Sequence, residues 1–124
     1  MEFIHTPDAP DPGGHYSQAV VHGDLVFVAG MLPVRPGTGE KVLGSVEEQT
    51  EQVLKNIAAV VEASGSSVDR IVKTTVYVSD IALWGRINQV YADFFGDHRP
   101  ARAVVPTREL HFGFLVEIDA IAAL

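Results

Sequence analysis

The sequence predicts an α+β fold with the order β-β-α-β-α-β-β, in which two helices cover one face of a mixed sheet. Two segments, residues 45–64 and 80–95, have apolar residues at the three- and four-residue steps of an amphipathic helix. Five shorter runs around them are rich in β-branched and aromatic residues and are bounded by Gly, Pro or Asp. At 124 residues the chain suits one domain, residues 1–124, with a core of its own.

The first part of the chain predicts a loop followed by a β-hairpin. Residues 1–14 are rich in Pro, Gly and Asp, so we expect an extended arm or loop there. The next run is YSQAVVHGDLVFVAG, in which His22-Gly23-Asp24 has the composition of a tight turn between two strands. The segment PVRPGTGEKV, with its Pro and Gly residues, then predicts a loop before the first helix.

The first helix has the clearest start and stop signals. Ser45 and Glu48 have the spacing of a capping box, in which the Ser hydroxyl accepts a hydrogen bond from a backbone N–H three residues later. Gly65 stands where a left-handed C-terminal cap is expected. Between them, one helical face is formed by Val46, Thr50, Val53, Ile57, Val60 and Ser64.

The second half of the chain predicts a strand, a helix and two further strands. The run DRIVKTTVYVSD alternates and is rich in β-branched residues, and Asp80 can cap the helix that follows it. Gly96 ends that helix, whose apolar face comprises Leu83, Ile87, Val90, Tyr91 and Phe94. Strands are expected at Ala101 to Thr107 and at Leu115 to Ala123, and Pro106 marks the former as an edge strand or a bulge.

The last predicted strand has two different faces. On one side, suited to the layer beneath the helices, lie Val116, Ile118, Ala120 and Ala122. On the other side lie Leu115, Glu117, Asp119 and Ile121. The second face is half apolar and would be uncovered in a single chain. Since a bare, partly apolar sheet face usually marks an interface, the sequence predicts an oligomer.

Composition excludes several classes of function. The net charge of −7 opposes the phosphates of nucleic acids, so we expect no nucleic-acid partner. The absence of Cys excludes disulfides, thiolate catalysis and zinc–cysteine sites. The N-terminal residues do not have the pattern of a signal peptide, and the longest apolar run, LVFVAGML, is too short to cross a bilayer. We therefore expect a cytoplasmic protein without a membrane partner.

No familiar catalytic or metal-binding motif is present in the sequence. PGTGEKVLG lacks the spacing of a phosphate-binding loop, and the five histidines show no metal-ligand pairing on one helix face. His111 is the most notable of them, because it lies directly before the strand that carries Glu117 and is placed to line a pocket there.

A small polar set remains: Tyr16, Asn88, Arg102, Glu117 and Asp119. Charged residues are mostly solvated, so Arg102 taken alone is expected to be an exposed arginine at a strand end or part of a surface salt bridge. Glu117 lies in an apolar run, where a buried carboxylate needs a partner. Two interpretations are open: Glu117 serves a site, or it forms a structural bridge to Arg102 or to a neighbouring subunit.

Seven blocks of the sequence, taken in order, resemble the signature blocks of the RidA (YjgF) family, the reactive intermediate deaminases. The blocks are YSQAV, LVFVAGMLPVRPGTGE, EQTEQVLKNIAAVVEASG, IVKTTVYVSD, INQVYADFF, PARAVV and VEIDAIA. The resemblance runs from about Tyr16 to the C-terminus, which is nearly the whole chain.

This resemblance implies a chorismate-mutase-like fold and a homotrimer, whose three sheets form a central barrel with a cleft between each pair of subunits. It implies hydrolysis of enamines and imines such as 2-aminoacrylate to 2-keto acids and ammonia, without a metal or other cofactor. Arg102 matches the arginine of the deaminating branch and would bind the substrate carboxylate. Glu117 would position and polarise the attacking water. Tyr16, Gly30 and Asn88 match further family positions of the substrate-binding cleft.

The chain departs from the family pattern at several positions of this cleft. Ala29 stands where the family usually has Ser, Met31 where it usually has Gln, and Val104 where Cys is frequent. Together with His111 and Phe112 at the rim, Ala29 and Met31 are expected to contact the substrate in a less polar and more aromatic cleft. A larger imino acid, such as an aminomuconate, fits such a cleft about as well as 2-aminoacrylate.

Other functions stay open at this point. One alternative is a non-catalytic trimer that binds a small carboxylate, such as a keto acid, through Arg102. Another is RNA cleavage or translation inhibition, known of some relatives, against which stand the acidic charge and the lack of a catalytic His pair. A dedicated step in a catabolic or natural-product pathway would leave no mark in the sequence.

Overall fold

The computed structural model describes residues 1–124, which form one six-stranded sheet with two α-helices on one face. The elements are β1 (Glu2–Ile4), β2 (Ala19–His22), β3 (Leu25–Met31), α1 (Val46–Ala63), β4 (Ile71–Val78), α2 (Trp84–Phe95), β5 (Ala101–Pro106) and β6 (Val116–Ala123). The strands lie in the order β1-β2-β3-β6-β4-β5. All neighbouring pairs are antiparallel except β4 and β5, which are parallel and are connected by α2.

The N-terminal segment differs from the loop that we predicted over residues 1–14. β1 pairs with β2 in antiparallel register, with Ile4 opposite Ala19. Behind β1, the buried side chain of Gln18 donates to the carbonyl oxygens of Thr6 and Pro10, and its Oε1 accepts from the N–H of Thr6. A three-residue strand, followed by a segment that one distant side chain holds, leaves no periodic pattern in the sequence, so composition alone predicts a loop.

The predicted limits of α1 are confirmed. The Ser45 Oγ accepts a hydrogen bond from the N–H of Glu48 at 3.1 Å. At the other end Gly65 has a φ of 89°, and its N–H donates to the carbonyl oxygen of Glu62 at 3.0 Å. The predicted inner face is buried at Val46, Thr50, Val53, Ile57 and Val60.

α2 begins later than predicted, at Trp84, because a 3₁₀ turn precedes it. Asp80 forms the predicted cap, but it caps this turn (Ile81–Leu83), where its Oδ1 accepts from a backbone N–H at 2.9 Å. Gly96 ends α2 with a φ of 62°. β5 is an edge strand as predicted, so Pro106 removes no hydrogen bond from the interior of the sheet. Neither α1 nor α2, nor any 3₁₀ turn, is long and apolar enough to cross a membrane.

The two faces of the sheet differ as the alternation in β6 predicts. Buried beneath the helices are Val116, Ile118, Ala120 and Ala122. The opposite face, called the open face below, carries the partly exposed Glu117 and Asp119 of β6. It also carries Phe27 of β3, which is 43% exposed, and Val105 of β5, which is 37% exposed. The predicted uncovered face is therefore present, and the trimer that would cover it stays a prediction.

Candidate active site

Glu117 lies on the open face, directly opposite Tyr77 of β4. Burial raises the pKa of its carboxyl above the ordinary value, whereas His111 lowers that pKa and Asp119 raises it. None of the four ion pairs of the chain includes Glu117, so the expected bridge to a cation is not made within one chain. A half-buried carboxylate with a raised pKa is suited to accept a proton from a water molecule.

A β-bulge in β3 brings the backbone against this carboxylate. The pairing of β3 with β6 shifts its register between Val28 and Met31, which places one extra residue in β3. Gly30 lies in this bulge, and a Cβ built on it would be 2.2 Å from Oε2 of Glu117. Glycine is therefore the residue that fits this position without displacing the acid.

The cleft over this carboxylate, called the Glu117 cleft below, brings together several predicted site residues. Its lining comprises Tyr16, Ala29, Gly30, Leu32, His111 and Glu117. The Tyr16 ring is half exposed, and its hydroxyl accepts a hydrogen bond from the N–H of Gly13 at 3.2 Å. Leu32 is the member that sequence reasoning did not include.

An adjoining cleft shares part of that lining and extends it to Phe112 and Met31. Phe112 has a φ of 58°, a left-handed conformation that costs a non-glycine residue about 1 kcal/mol or more. Its ring is 63% exposed, with Nζ of Lys41 at 4.7 Å from the ring centroid. We expected Met31 to contact the substrate, but its side chain is only 4% exposed and packs in the core. It borders the cleft from the core side.

Arg102 lies in a second cleft, formed by α2 and the loop before β5 and called the Arg102 cleft below. Its Nη1 donates to Oδ1 of Asn88 at 2.9 Å. Its Cζ lies 4.7 Å from the centroid of the Tyr91 ring, and the Tyr91 hydroxyl is 2.7 Å from Oγ1 of Thr74. The expectation of a surface salt bridge for Arg102 is wrong, because no carboxylate pairs with it. The guanidinium is instead oriented by an amide and an aromatic ring.

Within one chain, Arg102 and Glu117 lie on opposite faces of the sheet. Arg102 pairs with Thr74, which is fully buried on the helix-covered face, whereas Glu117 pairs with Tyr77 on the open face. β4 also lies between the two strands that carry them. A bridge between the two residues across a strand pair is therefore excluded. A neighbouring subunit is the remaining route by which they could share a cleft.

Among the side chains of the Arg102 cleft that sequence reasoning missed, Tyr91 and Arg99 matter most for its chemistry. Tyr91 supports the guanidinium, and a signal for it exists, since Asn88 and Tyr91 are three residues apart on one helical face. The helical periodicity predicts Tyr91 only as part of the apolar face of α2. Arg99 also lines this cleft, and no pattern in the sequence distinguished it from a solvated arginine.

Comparisons with known proteins agree with this fold. Residues 6–124 match the family model described as Endoribonuclease L-PSP. The chain is 46% identical over 121 residues to a RutC family protein of Pyrococcus horikoshii, covering 98% of this chain and 96% of that protein. It is 42% identical over 123 residues to the chloroplastic Reactive Intermediate Deaminase A of Arabidopsis thaliana, covering 99% of this chain and 66% of that protein.

The similarity extends to solved structures. The crystal structure of E. coli TdcF with bound serine has a TM-score of 0.95 and 38% identity to this chain, covering 100% of this chain and 99% of that one. Such values confirm the fold that the resemblance implied. With 119 of its residues inside the family match and relatives above 40% identity over almost its full length, the chain belongs to the Endoribonuclease L-PSP family, also called the RidA or YjgF family.

Proposed function

We propose that the protein hydrolyses enamines and imines derived from 2-amino acids, such as 2-aminoacrylate, to 2-keto acids and ammonia. The observation that carries this proposal is the half-buried carboxylate of Glu117, which has a raised pKa and lies against the bare Cα of Gly30. This arrangement supports a role of Glu117 as a general base, beside a stretch of backbone that a small substrate can approach because Gly30 has no side chain. The relationship to a Reactive Intermediate Deaminase supports a deaminase role in general.

The reaction needs few protein groups, because the imine carbon is already electrophilic. Arg102 would bind the substrate carboxylate with two parallel hydrogen bonds, which fixes the imine. Glu117 would accept a proton from water as the water oxygen bonds to the imine carbon and the C=N π electrons move to nitrogen. The protonated Glu117 then returns the proton to that nitrogen. Glu117 then takes the proton of the carbinolamine hydroxyl and passes it to the amino nitrogen as the C–N bond breaks, so the oxygen forms the carbonyl and ammonia leaves.

We further propose that the working form is a homotrimer in which Arg102 of one subunit meets Glu117 of its neighbour. Two observations support this. The two residues lie on opposite sheet faces of one chain, and the open face exposes Phe27 and Val105, which an interface would cover. In a closed ring, every subunit would then supply one group to each of two clefts.

The primary test is imine hydrolysis by the wild type and by Arg102→Ala. An amino-acid oxidase generates imines from a panel of amino acids, and semicarbazide traps whatever is not hydrolysed. We expect the wild type to lower the semicarbazone signal and the variant to lose about 100-fold in kcat/KM, because a bidentate charged contact is removed. If the folded wild type hydrolyses no imine of the panel, the deaminase proposal fails for these substrates.

Subunit complementation tests the shared cleft directly. Arg102→Ala and Glu117→Ala subunits are each expected to be folded and nearly inactive. In random mixed trimers one cleft of each hetero-trimer regains both wild-type groups, so about a quarter of all clefts are restored. Recovery of about 25% of the wild-type activity on mixing is the expected result by that arithmetic. No recovery, with subunit exchange demonstrated by mass spectrometry, would exclude a cleft built from two subunits.

A second candidate is a binding trimer without catalysis, and the serine found in the TdcF relative favours it. Tight binding of a stable keto acid without imine turnover would support this candidate.

A larger imino acid as substrate is favoured by the exposed Phe112 ring at the rim. The endoribonuclease description of the family suggests RNA cleavage, which the net charge of −7 disfavours.

A further inference from the structure

We infer that Arg99 forms a second anion subsite beside Arg102, and that the preferred ligands are keto and imino acids with a second carboxylate. The inference deepens the proposed function by naming a class of substrate, and its catalytic part rests on that function. Imines of the acidic amino acids carry such a second carboxylate. The subsite itself is a binding property that can be measured without turnover.

The lining of the Arg102 cleft carries positive charge and no acid. Arg99 and Arg102 both line it, together with Asn88, His98 and the rings of Tyr91 and Phe95, and no Asp or Glu takes part. This is notable in a chain that has 16 acidic and 9 basic residues. Within one chain, the two guanidiniums make this cleft an electrostatic site for an anion. In the proposed trimer the neighbour's Glu117 would face Arg102, and Arg99 would keep its charge for a second carboxylate.

Neither arginine is neutralised elsewhere in the chain. The four ion pairs use Arg35, Lys55, Arg86 and His5, so Arg99 and Arg102 are both free to bind a carboxylate. Arg102 uses one N–H for Asn88 and rests on the Tyr91 ring, which leaves further N–H donors in a fixed orientation.

The spacing of the two arginines suits a short dicarboxylate. They are three residues apart, so their Cα atoms are at most about 10 Å apart. Pro100 stands between them and fixes its own φ, which restricts the loop that carries Arg99. Because both side chains line one cleft, a five-carbon dicarboxylic acid is the ligand chosen to test whether one molecule contacts both guanidiniums.

The ring of His98 is held by the backbone. Its Nε2 lies 2.7 Å from the carbonyl oxygen of Ile71, and a carbonyl only accepts, so Nε2 carries the hydrogen. The ring is thereby held as a wall of the cleft beside Phe95, at 6.0 Å between ring centroids. Besides Arg102, Arg99 is the permanently charged residue of this lining, and we assign the second carboxylate to it.

Binding of two stable keto acids tests the subsite. 2-Oxoglutarate has a distal carboxylate, and its 5-methyl ester has a neutral ester of nearly the same size in its place. Titration calorimetry compares both ligands on the wild type, Arg99→Gln and Arg99→Lys. Arg108→Gln serves as the matched control, because it changes the net charge by the same amount as Arg99→Gln. Arg108 itself is exposed and lines neither the Glu117 cleft nor the Arg102 cleft.

We expect the wild type to bind 2-oxoglutarate about three- to tenfold more tightly than its 5-methyl ester, a modest ratio because Arg99 is exposed. In Arg99→Gln the ratio falls to about one, in Arg99→Lys part of it is kept, and in Arg108→Gln it is unchanged. Equal affinity of the wild type for both ligands, no binding of either, or a ratio that Arg99→Gln leaves intact would overturn the inference.

A hydrolysis arm separates this inference from the proposed function. The semicarbazide assay is run with the imines of glutamate and glutamine. A binding ratio that depends on Arg99, without turnover of either imine, supports the subsite and removes the deaminase proposal for these two imines. Turnover of both imines with equal efficiency, and without an effect of Arg99→Gln on their ratio, supports the deaminase and overturns the subsite.

Discussion

Replacing Gly30 by alanine tests whether catalysis depends on the position of the Glu117 carboxylate. The added Cβ would lie 2.2 Å from Oε2 and 3.2 Å from Cδ of Glu117. Non-bonded heavy atoms approach to about 3.5 Å, so the carboxylate has to move by roughly 1 Å. The change adds one methyl group and removes no functional group, which makes it a test of position alone.

The expected loss is about 100-fold in kcat/KM, because a misplacement of about 1 Å has an effect of this size on catalysis. The fold should tolerate the change. Gly30 does not have a positive φ, so alanine adopts its backbone conformation, and Glu117 is only half-buried and can rotate towards the cleft. We expect the melting temperature to change by less than about 4 °C, equivalent to about 1 kcal/mol in a chain of this length.

Gly44→Ala is the matched control. A Cβ at Gly44 would lie 2.4 Å from Oε2 of Glu48, which is a nearly identical clash with another glutamate. Glu48 is exposed and lies outside the Glu117 and Arg102 clefts, so its side chain can move into solvent. Both variants are assayed by semicarbazide trapping and by thermal melting. This control should retain wild-type kcat/KM.

The reasoning would be refuted if Gly30→Ala kept kcat/KM within threefold of Gly44→Ala on every imine that the wild type hydrolyses. Glu117 would then act from a position that tolerates displacement, or it would not act at all. An equal loss in both variants, accompanied by lower melting temperatures, would instead indicate a general effect of the added methyl group on folding.

Four more expectations concern Glu117, Asn88 and the open face. Glu117→Gln should lose about 100-fold or more in kcat, because it removes the general base. Because the pKa of Glu117 is raised, the folded wild type binds the carboxyl proton more tightly than the unfolded chain does. The free energy of unfolding of the wild type therefore falls as the pH rises from 4.5 through the pKa of the folded state. Across this pH range the melting temperature of Glu117→Gln should fall less than that of the wild type. Identical pH dependence in the two proteins would contradict the raised pKa of Glu117. Asn88→Ala removes the 2.9 Å hydrogen bond to Arg102 and should raise KM about fivefold with little change in kcat; steady-state kinetics in which only kcat changes would argue against this positioning role. Phe27→Glu places a charge on the open face and should give monomers in light scattering, whereas a persistent trimer would show that this face is not the interface.

Much of the fold could be predicted because its elements carry local signals. The two-residue alternation of β6 and the caps of α1 are encoded within a few neighbouring residues, and both predictions are confirmed. β1 was missed because three residues cannot show a period. It pairs with β2, and the distant Gln18 holds the residues that follow it. The start of α2 was misplaced because Asp80 has the same signal whether it caps a 3₁₀ turn or an α-helix.

The candidate site was predictable only in its parts. The side of the sheet on which Glu117 lies follows from alternation along a strand whose apolar face is evident. The side on which Arg102 lies depends on how β5 pairs with β4, and this parallel register is set by the packing of α2. No local pattern reports that packing, so the location of the two residues on opposite faces could not be read from the sequence.

The central position of β6 has a consequence for the order in which the protein is made. β6 is the last strand in the chain, yet it separates β3 from β4 in the sheet. During synthesis, β1 to β3 and β4 to β5 therefore emerge as two incomplete sheets, each with an unpaired edge. The two join only when β6 leaves the ribosome and inserts between them. A chain that stalls before this strand would lack Glu117 and would expose two sheet edges with unpaired backbone groups. Such products are expected to depend on chaperones or be degraded.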